Sequence, residues 1–145
     1  MARILIAHIP KKLNSYWDDE LNCVVDCWMD VHDVTPADIE RVIIKQVVPF
    51  VLRKGCRIHI MDNSMAQGAF STESVTFLKK EIGTRMATSK VKYLISISSQ
   101  YSPLSNMSAK RLEAKSEYSS GVYWIEARNL DDALAKIRKI EEDAA

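Results

Sequence analysis

Apolar positions along the chain follow two rhythms, and the switches between them mark the elements. Arg3–Ile9 (RILIAHI) is apolar with weak alternation and stops at Pro10, as a strand does. Residues 13–17 lead into the turn-rich Asp18-Asp19-Glu20-Leu21-Asn22, after which 23–29 (CVVDCWM) is apolar again. That arrangement predicts an antiparallel hairpin with a four- or five-residue loop. Alternation sets Cys23, Val25, Cys27 and Met29 on one face and Val24, Asp26 and Trp28 on the other. One charge beside large apolar groups on the second face predicts an edge strand or a partly covered one.

The rhythm then changes to a helical one. Thr35 suits an N-cap, Pro36 the first helical position, and Asp38 places negative charge in the first turn. Ile39, Val42, Ile43, Gln46, Val47 and Phe50 follow as the inner stripe, with Gln46 its one polar interruption. Pro49 predicts a kink in the last turn, and Gly55 a left-handed end. Residues 56–61 (CRIHIM) read as an interior strand. Beyond a loop, Ser71 caps a second helix, with Phe70 and Val75 spaced as a hydrophobic staple and Val75, Leu78, Ile82 and Met86 facing inward. Gly83 weakens that helix near its end.

Residues 91–99 form a further predicted strand, and Ser102-Pro103 marks a turn. Ser105 caps a shorter helix carrying Met107, Leu112 and Ala114, and 119–121 is a loop into a last strand at 122–127. Asn129 caps a closing helix whose Leu130, Ala133, Leu134, Ile137 and Ile140 face inward. Strands alternating with helices after an initial hairpin predict one α/β domain over 1–145. It has a mixed, mostly parallel sheet of about five strands, an N-terminal β-hairpin, and helices packed on the sheet.

Composition adds exclusions. Twenty Lys+Arg against 19 Asp+Glu leave a net charge of +1, which gives no global field for nucleic acid or an acidic membrane surface. Three cysteines, an odd count set in apolar runs, argue against a secreted disulfide framework. No apolar run is long enough to insert into a membrane, and the start MARILIAHIPKK lacks a small-residue cleavage site, so the expected location is the cytoplasm.

Three features carry a family resemblance: the opening hairpin DDELNCVVDCW, the strand ending in Asp62 before a loop and helix, and the closing VYWIEARNLDDALAKI. With the order of elements, they make the chain from about Leu13 to Ile140 resemble the STAS (anti-sigma-factor antagonist-like) family and its CRAL-TRIO-like relatives. The resemblance implies a non-enzymatic regulatory or protein-interaction module with another protein as partner. In regulatory members an Asp closes the strand, and an Asp-Ser-Ser-Gly turn about nine residues later offers a phosphorylatable hydroxyl. Asp62 matches the first Asp, and Ser71 and Thr72 fall where the Ser pair would be. Phe70 stands in place of the second Asp and Glu73 in place of the Gly. A phosphate at a helix start is favoured by free N–H groups and the dipole, whereas Glu73 repels it; the alternative is that Ser71 is simply an N-cap. The expected interaction surface takes in Asp62, Asn63, Ser64, Phe70, Glu73 and Ser74, the second helix and residues 98–105.

Cys23, Cys27 and His32, near Asp30 and Asp33, suggest a metal, but no second Cys/His pair completes a shell, so the expectation is no metal and no cofactor. With four glycines there is no G-x-S-x-G elbow, P-loop or dinucleotide turn, and no residue is nominated as catalytic. His59 reads as a core or face histidine held by a hydrogen bond, with an acid/base pairing to Asp62 as the alternative, and His8 is similarly placed. Lys79, Lys80, Arg85, Lys90 and Lys92, with Lys110, Arg111 and Lys115, read as solvated faces rather than a nucleic-acid site. Met65, Phe70, Met86 and Tyr101 either pack as core or line a cleft for a small apolar, lipid-like ligand, which is the rival function. An apolar face on the first strand or the hairpin is compatible with a homodimer.

Overall fold

In the computed structural model, which describes residues 3–99 and 122–144, six strands lie side by side in the order in which the chain makes them. They are β1 (Arg3–Ile9), β2 (Leu13–Asp18), β3 (Cys23–Trp28), β4 (Ile58–Asp62), β5 (Tyr93–Ile97) and β6 (Tyr123–Ala127). The first three form an antiparallel meander, and β3 to β6 run parallel. Six strands rather than about five arise because Leu13–Asp18 is a full strand between two tight turns. In the first turn Lys12 N–H donates to the Ile9 carbonyl at 2.9 Å, and Lys11 takes the left-handed position with φ 63°. In the second, the buried Asp18 carboxylate accepts from the N–H groups of Glu20 and Leu21, both at 3.1 Å, and from Arg3 Nε at 3.1 Å.

The first helical segment starts where its cap predicts. Thr35 Oγ1 accepts from Asp38 N–H at 3.1 Å while Asp38 Oδ2 accepts from Thr35 N–H at 3.2 Å, a reciprocal box. From α1 (Pro36–Ile39) the chain passes into a π-helical stretch, Glu40–Val47, and then α2 (Val48–Lys54). Its wider turns precede Pro49, which has no N–H for the carbonyl one α-turn back, and Val48 N–H reaches Ile43 instead. This alters the inner stripe. Gln46 turns outward and donates to the Arg41 carbonyl at 3.2 Å, while Ile44, Val48 and Val51 join the core. Gly55, φ 64°, ends the segment.

The helix α3 (Thr72–Met86) lies with α1 and α2 over one face of the sheet, where Leu13, Val24, Trp28 and Leu94 meet Val42, Val47, Val75 and Leu78. The other face, with Cys23, Val25, Ile60 and Ile95, takes α4 (Leu130–Ala144) through Ala133 and Ile137. Asn129 caps α4, its Oδ1 accepting from Asp132 N–H at 2.9 Å. No helix among the described residues is long and apolar enough to cross a membrane. Tyr101, the turn at Ser102-Pro103, the helix expected from Ser105 with Met107, Leu112 and Ala114, the 119–121 loop, and Lys110, Arg111 and Lys115 lie outside the described residues.

Candidate functional site

The segment between β4 and α3 is fixed at several points along its length. Asn63 N–H donates to the Ile97 carbonyl (3.0 Å), Ala66 N–H to the Asn63 carbonyl (2.9 Å), and Gln67 N–H to the Met29 carbonyl (2.8 Å). Val31 N–H donates back to the Gln67 carbonyl at 3.0 Å, so the chain after β3 and the chain after β4 run as one short parallel bridge. Gly68, φ 78°, lies against His32, where an added Cβ would meet the His32 Cβ at 3.3 Å.

This geometry divides the expected interaction residues by direction. Asn63, Phe70 and Ser74 are buried: Ser74 Oγ donates to the Val34 carbonyl at 2.7 Å, and Phe70 meets Trp28 edge-on with centroids 5.0 Å apart. Asp62 is half-buried and its Oδ1 accepts from Ser64 N–H at 3.0 Å. Ser64 is half-exposed, Met65 is 59% exposed, and Ser71, Thr72 and Glu73 are exposed. Ser71 is the N-cap of α3, its Oγ accepting from Ser74 N–H at 3.1 Å.

A second constellation lies beneath α3, on the strand whose mixed face predicted an edge strand or a partly covered one. Asp26 is 4% exposed, on the third of six strands. The charge is tolerated there because both carboxylate oxygens are engaged. Ser15 Oγ donates to Oδ1 at 2.6 Å, and His59 Nε2 contacts Oδ2 at 2.7 Å. The three residues stand on β2, β3 and β4 in a slanting row: Ser15 lies directly opposite Asp26, and His59, whose register partner is Val24, reaches Asp26 on the diagonal. His59 is therefore the hydrogen-bonded core histidine of one expectation, and its carboxylate partner is Asp26. Asp62, three residues along the same strand, projects to the opposite face. His8 lies exposed on β1.

Above this row, between the sheet and α3, is a half-open cleft of about 70 Å³. Asp26 and His59 form part of its floor, Trp28, Phe70 and Trp124 contribute aromatic walls, and Leu78, Lys79 and Ile82 descend from α3. Of the residues expected to line an apolar cleft, Phe70 does so. Met86 is buried without lining it, Met65 points to solvent, and Tyr101 is outside the described residues.

Cys23 and Cys27 sit on the α4 face, and Cys56 is buried in the core on the other face. Burial pushes the Cys23 thiol up to about 12, with Asp18 adding to the effect, and the Cys27 thiol up to about 11, with Asp62 adding. His32 is exposed and pairs with Asp33 at 3.3 Å, and among the described residues no three potential ligands gather at one point.

The Ser15–Asp26–His59 row could have been read from the sequence. A four-residue loop pairing Asp18 with Cys23 also pairs Ser15 with Asp26, and a histidine on the next strand supplies the second donor.

No family model matches the sequence, and no curated protein matches it. Among solved structures, the chain is similar to an anti-sigma factor antagonist from Mycobacterium paratuberculosis, with 13% identity, a TM-score of 0.50, and coverage of 90% of this chain and 97% of that one. The apo form of SiaC from Pseudomonas aeruginosa aligns with 13% identity and a TM-score of 0.45 over 88% of this chain and 98% of that one. Neither neighbour is described as CRAL-TRIO-like. The chain thus has the mixed α/β fold of an anti-sigma factor antagonist, the STAS-like fold that its sequence pattern resembles.

Proposed function

We propose that the protein is a STAS-like regulatory module that binds another protein through the β4–α3 loop and the first turn of α3. The observation that carries this reading is the division of the loop. Its backbone is pinned to β5 and to the chain after β3, while Ser64 is half-exposed and Met65, Ser71, Thr72 and Glu73 are exposed. A surface already ordered in this way loses little conformational entropy on docking, and an exposed methionine beside polar groups is a suitable apolar anchor. The similarity to an anti-sigma factor antagonist supports a protein as the partner class.

Ser71 is the candidate switch, with Thr72 beside it. A phosphoryl group on Ser71 would sit at the start of a 15-residue helix, where backbone N–H groups and the dipole favour an anion, with Glu73 opposing it. The test compares wild type with Met65→Asp and Ser71→Asp, each checked for an unchanged circular dichroism spectrum, in affinity for the protein that co-purifies from the native cells. Met65→Asp should weaken binding at least about tenfold, the loss of one buried anchor. Unchanged affinity in Met65→Asp would remove the surface from the proposal, and unchanged affinity in Ser71→Asp would remove the switch.

A further inference from the structure

The Ser15–Asp26–His59 row has an end left over. The side chain of His59 is 9% exposed and that of Asp26 6%. A carboxylate only accepts, so the Ser15 hydroxyl and the imidazole Nε2–H both donate to it. In the neutral ring this fixes Nδ1 as an acceptor, and among the described residues Nδ1 has no hydrogen-bond partner. His59 lines the cleft under α3, whose other walls are almost entirely apolar and include Trp28, Phe70 and Trp124. An apolar pocket with one fixed polar anchor is the usual composition of a small-molecule site.

We propose that this cleft binds a small apolar molecule bearing a single hydroxyl, an alcohol or a phenol, whose O–H donates to Nδ1 of His59. A carboxylate is the poorer match, because it would place a second anion across one imidazole from Asp26, 2.7 Å away on the other side. The half-open cleft offers only about 70 Å³ of space, which holds the first few heavy atoms. The hydroxyl end therefore enters first, and the remainder lies among Phe70, Ile82 and the half-exposed Lys79 at α3. This inference concerns the inner side of α3 and is independent of what its N-terminus engages.

The probes are phenol and its near-isostere toluene, titrated into the wild-type protein while the His59 ring nitrogens are followed by long-range ¹H–¹⁵N NMR. Phenol should give saturable shifts at His59 and at the indoles of Trp28 and Trp124. Its Nδ1 signal should move in the direction of an accepted hydrogen bond, with binding at least about fivefold tighter than toluene. The folded variant Ile82→Phe, which fills the mouth of the cleft, should lose these shifts. Equal binding of the two probes, non-saturating shifts, shifts centred away from His59, or undiminished binding in Ile82→Phe would each overturn the proposal; the probe comparison needs no variant to fold.

Discussion

Removing the Asp26 carboxylate tests whether the row beneath α3 is a dry, mutually dependent unit. In Asp26→Ala the Ser15 hydroxyl and His59 Nε2 keep their buried positions on β2 and β4 but lose the acceptor that they share at 2.6 and 2.7 Å. Each stranded donor costs about 1–3 kcal/mol, so the two together cost about 2–6 kcal/mol. For a domain whose stability is of order 5–15 kcal/mol, that is a large fraction. The triple variant Ser15→Ala, Asp26→Val, His59→Leu removes every polar atom of the row and leaves apolar groups facing Val24, Leu94 and Ile43. It should return to within about 1 kcal/mol of wild type, because no buried polar group is then left without a partner. Urea titrations followed by far-ultraviolet circular dichroism would give both values, with an unchanged m confirming that the unfolding transition stays comparable. A loss under about 1 kcal/mol for Asp26→Ala, or a triple variant no more stable than the single one, would refute the reasoning, since water would then be satisfying the donors.

Two further outcomes follow from local geometry and burial. Gly55→Ala should lower stability by about 1 kcal/mol in the same titration: at φ 64° the backbone is left-handed, while the added Cβ meets only Lys90 Cδ at an ordinary 3.6 Å. The buried thiols predict a fall in stability at alkaline pH. Unfolded cysteines ionise near 9.0, whereas Cys23 and Cys27 stay protonated in the folded protein up to about 12 and about 11. Unfolding therefore releases protons in that window, and stability should drop as pH rises above 9.0, by at most about 1.4 kcal/mol per pH unit for each thiol. Urea midpoints measured between pH 8 and 10.5 would show the drop, and Cys23→Ala/Cys27→Ala should flatten it.

Much of the fold was legible because local signals agreed with one another. The Thr35 and Asn129 caps, the Ser71 cap with its Phe70–Val75 staple, and the apolar runs that became β4, β5 and β6 needed no distant information. Two features depended on more. Glu40–Val47 winds more widely than an α-helix, so a 3.6-residue period set Gln46 inward and left Ile44 and Val48 out of the stripe. Asp26 read as a charge on an edge or partly covered strand because its partners lie 11 residues before it and 33 after it, and only the pairing of strands brings them together. The segment between β4 and α3 lies between a strand and a capped helix, as its sequence implied. Which of its side chains turn outward depended on the hydrogen bonds to β5 and to the chain after β3, which sequence spacing does not encode.

The match between spatial and sequential strand order also bears on synthesis. Each strand leaving the ribosome finds its neighbour already made, so the sheet can grow by single additions with no segment held waiting for a later one to slot between earlier ones. The helix α4 is the exception. It follows all six strands yet covers Cys23, Val25, Ile60 and Ile95 on its side, so among the described residues no other helix shields this apolar face before α4 has emerged and packed.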